Sequence, residues 1–243
     1  MSNSIHKEPL PMRCPVLYLP GIDGTGRLLF RQKGLQHRHD LRCVGYPQDD
    51  SHTYADLVAL AMRHLDEIGP AVIVAESFGG GVAMQVALKR AELVRRLVLV
   101  STFAYYPRRL YIELLALAGS WLPHKPAHPW TRPVRSAFFF GRGVSRADQD
   151  AWWDCTADVP QHVYGHRFRL LAELDLRPRL AEIAVPALVC ASPNDWIVPF
   201  SASRLLAARL PRARLIVFQC GHAAVIDPHV DIAAWLADES LWG

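Results

Sequence analysis

The feature that most constrains this chain is a series of short apolar runs that do not alternate with polar residues. Residues 16–19, 71–74, 97–100, 186–191 and 215–218 are such runs, and 41–44 adds a shorter, mixed one. A strand with one wet face alternates apolar and polar side chains, whereas a strand covered on both faces does not. Between the runs the apolar period becomes helical. Over residues 54–68, Leu57, Leu60, Ala61, Leu65 and Ile68 fall on one helical face, and Thr53 is placed to cap the first turn. Residues 82–90, 201–210 and 231–236 also read as helices. Strands alternating with helices imply an α/β fold: a mostly parallel central sheet flanked by helices on both faces.

The alternation stops between about residues 102 and 179. That stretch is helical in period and rich in aromatics: Trp121, Trp130, Phe138, Phe139, Phe140, Trp152, Trp153 and Tyr164. It reads as a helical insertion between two strands, with residues 1–101 and 180–243 as the core and 102–179 as a cap or lid. Ligands of open α/β sheets bind beyond the carboxyl ends of the strands, where such an insertion would cover them. Plain hydrophobic core is the alternative use of its aromatics. Trp121-Leu122-Pro123 and Phe138-Phe139-Phe140 are candidates for an apolar patch.

Composition excludes several classes of protein. Across 243 residues, 51% are hydrophobic and 21% charged, too apolar for a disordered chain. The net charge of +4 comes from dispersed arginines, among them Arg95, Arg96, Arg108, Arg109, Arg177, Arg179, Arg212 and Arg214. They read as a solvated surface, so no nucleic-acid partner is expected. The longest apolar stretch near 110–122 is too short to cross a bilayer and contains Glu113, so no integral membrane association is expected. Five cysteines stand far apart without a CxxC pair, which points away from a disulfide framework or a zinc site. Cys14, Cys43 and Cys190 lie in or beside apolar runs and are expected to be buried. With Glu8 and two prolines before Cys14 and no apolar leader, the expected location is cytoplasmic.

The chemistry is concentrated where strands end. Ala75-Glu76-Ser77-Phe78-Gly79 joins an apolar run to a helix. A sharp strand-to-helix turn holds its central residue in strained backbone geometry, and small residues two positions away on each side avoid clashes. Ser77 would then project from the sheet edge at a helix N-terminus, where free N–H groups favour developing negative charge. An ordinary helix cap is the bland alternative. A nucleophilic serine needs a base, and the base needs an acid to orient it. In strand–turn–helix hydrolases the chain order is serine, acid, histidine. Asp195 follows the run at 186–191, and His222 follows the run at 215–218. His166, His229, Asp175 and Asp227 are weaker rivals. The loop Pro20-Gly21-Ile22-Asp23-Gly24-Thr25-Gly26 follows the first strand. It fits neither GxGxxG nor a GK[ST] phosphate loop, so no nucleotide cofactor is expected, and no metal. Its glycines allow close backbone approach, and the N–H groups of Ile22 and Phe78 are the expected oxyanion donors. Gly21, Asp23 and Trp196 are expected to border the substrate.

Taken together, the glycine loop at Gly21, the elbow at Ser77, the segment 185–199 around Asp195 and Gly221-His222 resemble the α/β-hydrolase superfamily, nearly end to end. Two positions depart from its usual motifs: Pro20 stands where His commonly precedes the loop glycine, and Ala75 stands at the first glycine of GxSxG. Leu19-Pro20-Gly21-Ile22-Asp23-Gly24-Thr25-Gly26 also resembles the hydrolase part of phytyl ester synthase/diacylglycerol acyltransferase-like proteins. Overall size is similar to carboxylesterases that cleave pimeloyl-carrier-protein methyl ester. The resemblance implies a serine hydrolase of carboxylic esters acting on a small-molecule acyl substrate without a cofactor. Acyl transfer and thioester cleavage use the same acyl-enzyme, and a silent binding protein is the alternative from another class.

Overall fold

The computed structural model describes residues 13–118 and 132–242. Trp121, Leu122, Pro123 and Trp130 lie outside the described residues. Among the described residues, the strands β1 (Pro15–Leu19), β2 (Asp40–Cys43), β3 (Ala71–Glu76), β4 (Val94–Val100), β5 (Ala187–Ala191) and β6 (Ala213–Val217) form one sheet. Their order is β2-β1-β3-β4-β5-β6, and every neighbouring pair is parallel. The helices are α1 (Lys33–Arg38), α2 (Tyr54–Ile68), α3 (Gly79–Lys89), α4 (Arg109–Ala118), α5 (Arg132–Phe139), α6 (Arg146–Cys155), α7 (Gln161–Glu173), α8 (Phe200–Arg209) and α9 (Ile232–Ala237).

The continuous apolar runs are explained by a sheet that is dry on both sides. In β3 the side chains of Ala71, Ile73 and Ala75 join one core, while Val72 and Val74 join the other. The first core is closed by α2, α3 and α8, and the second by α1 and α9. Ile73 has no exposed surface, and truncating such a residue to Ala typically costs about 2–5 kcal/mol. The edge strands are wetter. Cys43, on edge strand β2, is exposed rather than buried as expected, whereas Cys14 and Cys190 are buried. Arg96 also departs from the solvated pattern: it is buried, pairs with Glu239 at 2.7 Å and lies over the Trp242 ring.

Helix α2 starts where the sequence predicts. Thr53 and Asp56 form a reciprocal capping box, each side chain accepting from the other's backbone N–H. Between β4 and β5 the described chain carries α4 to α7 and no strand, only the isolated antiparallel bridge of Tyr105 with Asp175. The described chain between these two strands is thus helical.

Strand order fixes where a site can form. The chain leaves β1 toward β2 on one side and returns as β3 on the other. The crevice beyond the carboxyl ends of β1 and β3 is thus a topological switch point, where open α/β sheets bind ligands. The loop at 20–26 and the elbow at Ser77 are the two segments that emerge there.

Candidate active site

Ser77 follows the last residue of β3 and has φ of +48°, a left-handed conformation uncommon for a residue with a side chain. The strain is held by its neighbours. Its N–H donates to Val100 O at 2.9 Å, and its carbonyl accepts from Thr102 Oγ1 at 2.5 Å. Two glycines then let α3 start against the sheet. A Cβ at Gly79 would lie 2.4 Å from Leu19 O, and one at Gly80 would lie 2.0 Å from Thr102 Oγ1. The elbow therefore needs these glycines for space rather than for flexibility.

The three strand ends converge. His222 Nε2 lies 3.1 Å from Ser77 Oγ, and His222 Nδ1 lies 2.9 Å from Asp195 Oδ2. All three side chains are buried. A carboxylate only accepts, so Nδ1 carries the proton and Nε2 is left to accept from the Ser77 hydroxyl. The second carboxylate oxygen, Oδ1, accepts from the N–H groups of Ile197 and Val198, both at 2.9 Å. Burial pulls the His222 imidazolium down, but the charge of Asp195, its hydrogen bond and the charge of Glu76 together raise it above the ordinary histidine value. Such a group can take a proton from the hydroxyl and hold it beside a stable anion.

The loop at 20–26 borders the same point. A Cβ on Gly21 would lie 3.8 Å from Ser77 Cβ. Among the described residues, neither the Ile22 nor the Phe78 N–H donates to a protein group. Phe78 itself is fully buried between Tyr54, stacked at 4.9 Å, and the edge of Tyr46 at 6.0 Å. Asp23 is also buried; its Oδ2 accepts from Thr25 N and Oγ1, which folds the loop on itself. Trp196 is 63% exposed and faces the Phe138 ring across 6.3 Å. The rivals lie apart from this cluster in their bonding. Asp175 pairs with Arg177, Asp227 bonds His229, and His166 reaches the His52 carbonyl. His229 stands in a turn.

A model of the alpha/beta hydrolase family matches residues 17–235. The chain belongs to that family. RutD of Caulobacter vibrioides (strain NA1000 / CB15N), provisionally named a carbamate hydrolase, is 27% identical over 86% of this chain and 83% of its own length. A 2-hydroxymuconate semialdehyde hydrolase of Pseudomonas putida is 31% identical over 91% and 82%. A pimeloyl-[acyl-carrier protein] methyl ester esterase of Aromatoleum aromaticum is 30% identical over 69% and 73%. Among solved structures, an esterase from Exiguobacterium antarcticum superposes with a TM-score of 0.78 at 18% identity, covering 94% of this chain and 92% of that one. The protein is thus a hydrolase with the family's sheet and a helical insertion.

Several groups around the site of this hydrolase were not singled out in the sequence. Ser192 Oγ donates to Cys220 O at 2.6 Å and accepts from the N–H groups of Cys220 and Asn194. It ties the loop of Asp195 to the loop of His222. Glu76 continues the parity of Val72 and Val74 onto the second core, where Tyr18 O–H donates to it at 2.6 Å. Burial pushes the Glu76 carboxyl up to about 7 despite that bond. The parity of β3 carried this signal, because it sends residue 76 into an apolar core. The insertion touches each loop as well. Phe139 packs against the His222 ring at 6.0 Å, Tyr106 O–H donates to Ile197 O at 2.7 Å, and Arg167 donates to Ile22 O at 2.8 Å. No periodic signal marks which insertion residue meets which loop.

Proposed function

We propose that this hydrolase cleaves a carboxylic ester through an acyl-enzyme, with Ser77 as nucleophile, His222 as general base and then acid, and Asp195 as the group that orients His222. The observation that carries the proposal is the contact chain from Ser77 Oγ through both nitrogens of His222 to Asp195, at 3.1 and 2.9 Å. Attack by Ser77 Oγ on the ester carbonyl passes its proton to His222 Nε2. The tetrahedral oxyanion is received by the N–H groups of Ile22 and Phe78, each worth about 3 kcal/mol in comparable sites. Collapse expels the alcohol, which takes the proton from His222. Water, deprotonated by the same imidazole, then frees the acid.

The insertion at 102–179 acts as the cap over this crevice, supported by its contacts with all three loops. Gly21, Asp23 and Trp196 border the acyl or alcohol portion; a Cβ on Gly21 would lie 3.8 Å from Ser77 Cβ. A cytoplasmic setting belongs to the same proposal, supported by five cysteines that all stand as free thiols. The name of the methyl ester esterase relative favours the ester class. The semialdehyde hydrolase relative favours a second reading, cleavage of a carbon–carbon bond next to a carbonyl by the same three residues.

Ser77→Ala is expected to keep the fold and lose turnover of a nitrophenyl ester by several orders of magnitude. Retained turnover rejects Ser77 as nucleophile. A fluorophosphonate should label Ser77, and an unlabelled protein points instead to a binding role. Product analysis with an added long-chain alcohol separates hydrolysis from acyl transfer, and a graded ester panel with a thioester sets the acyl class.

A further inference from the structure

Among the described residues, Arg167 is the largest side chain with essentially no exposed surface. It stands on α7, in the insertion, and reaches out of it. Its Nη1 donates to Ile22 O and its Nη2 donates to Pro47 O, both at 2.8 Å. These two carbonyls belong to the loops that follow β1 and β2. The guanidinium also lies over the Tyr46 ring at 5.7 Å, and Tyr46 in turn packs its ring against Phe78. The fit is close: a Cβ on Gly24, which has φ of +66°, would lie 2.5 Å from Nη1.

This arrangement is expensive for a residue that only fastens a helix. A buried cation normally gains a carboxylate partner, but the hydrogen-bond acceptors here are neutral carbonyls, and Nε has none. Burial accordingly lowers the Arg167 pKa, against the opposing pull of the nearby Asp23 charge. An apolar side chain would seat α7 on the core at less cost in desolvation. What an apolar side chain cannot do is hold two carbonyls at once in one plane, which the guanidinium fork does and an ammonium does not.

The held group is the carbonyl of the residue whose N–H was assigned to the oxyanion. The loop's own bonds, from Thr25 to Asp23 and from the Gly24 N–H to Gly21 O, fold its backbone but do not hold the Ile22 carbonyl, which Arg167 does. We propose that Arg167 is a positioning residue of the oxyanion hole: by pinning the Ile22 carbonyl from behind, it aims the Ile22 N–H at the reacting carbonyl and makes that aim depend on the seating of α7. This rests on the serine-hydrolase assignment above. The expected consequence is specific. Loss of the fork misplaces a donor used in the tetrahedral state and leaves ground-state contacts intact, and a misplacement of about 1 Å can cost ~10²-fold in rate.

The test compares wild type, Arg167→Lys and Arg167→Met with a nitrophenyl ester, and measures inhibition by an alkyl boronic acid, whose tetrahedral adduct on Ser77 mimics the oxyanion. Expected is a fall in kcat of roughly 10²-fold in both variants, KM within about threefold, and boronate affinity weakened by a similar factor. Arg167→Ala should regain activity several-fold in millimolar guanidinium, with no gain for wild type. Wild-type kcat in Arg167→Lys shows that charge alone suffices and overturns the positioning role. A rise in KM with unchanged kcat overturns it too, as does a loss of kcat without matching loss of boronate affinity. Should Arg167→Met fail to fold, Arg167→Lys decides alone. A Ser77→Ala control separates the two levels: if it retains turnover, the triad assignment fails; if it is silent while the Arg167 variants match wild type, only the positioning role fails.

Discussion

The two sides of the site are held by different means. On the acid–base side, the loops of Asp195 and His222 follow adjacent strands and brace each other. Ser192 bridges them through Cys220, and Asn194 Nδ2 donates to Gln219 Oε1 at 2.7 Å. On the oxyanion side, the glycine loop after β1 is fastened from a helix 145 positions away in the chain. The first side is secured by the sheet that also supplies Ser77, Asp195 and His222, the catalytic groups we propose. The second is tied to the insertion through Arg167. On the proposed function, the difference separates a proton-transfer pair braced by the sheet from an oxyanion hole whose shape depends on a second body of structure.

The largest expected effect that sharpens this contrast is Asp195→Asn. It keeps the loop but removes the anion that fixes the His222 tautomer, and about 10⁴-fold in kcat should be lost. Because Asp195 helps hold His222 above its ordinary value, the pH profile should report the same change. In wild type kcat/KM should fall as pH drops through a midpoint above about 6.5, as the base becomes protonated. Residual activity of Asp195→Asn should show that midpoint moved down. An unmoved midpoint breaks the link between Asp195 and the imidazole.

Next in size is Glu76, beneath both sides. Its folded value of about 7 exceeds the ordinary carboxyl value, so the native state holds a proton that the unfolded chain has released. Stability should therefore fall as pH rises from about 4.5 to about 7, by on the order of 3 kcal/mol from this group. Glu76→Gln should remove that fall, seen in urea midpoints across the range. A slope equal to wild type would place the ionised carboxylate in the native state throughout.

Ser192→Ala tests the internal brace. It leaves Cys220 and Asn194 backbone groups without their buried partner and should destabilise by about 1–3 kcal/mol. The matching expectation is a loss of kcat near tenfold, as His222 and Asp195 loosen together. If instead the fluorophosphonate labelling rate stayed at the wild-type value, the acid–base side would not depend on that bridge. At the small end stands Trp196→Ala. Its ring is mostly exposed, and stability should change by no more than about 0.5 kcal/mol. A change in KM across the ester panel, with stability constant, would mark Trp196 as a substrate contact.

Much of the acid–base side was legible in residue order. Ser77, Asp195 and His222 each follow a continuous apolar run, and parallel strands bring such positions to one edge by geometry alone. The Thr53 cap was legible because a helix start is a local event, whereas its reciprocal bond with Asp56 was seen only in the structure. Cys43 was misjudged because an apolar run does not reveal whether its strand is central or at the edge. Arg96 and Arg167 resist sequence reading for a related reason: an arginine on a helix or strand is normally solvated, and only its neighbours show otherwise.

By itself the sequence determined the class of fold, the alternation of strands and helices in its core, and the three strand ends that carry an alcohol, a carboxylate and an imidazole. It could do so because periodicity records how many faces of an element are dry. The tertiary structure decided which groups meet: Glu76 with Tyr18 beneath the elbow, Ser192 with Cys220 between two loops, and Arg167 with the Ile22 carbonyl. Those pairings depend on strand neighbours and on where α7 settles, and a pattern of burial along one chain does not specify a partner.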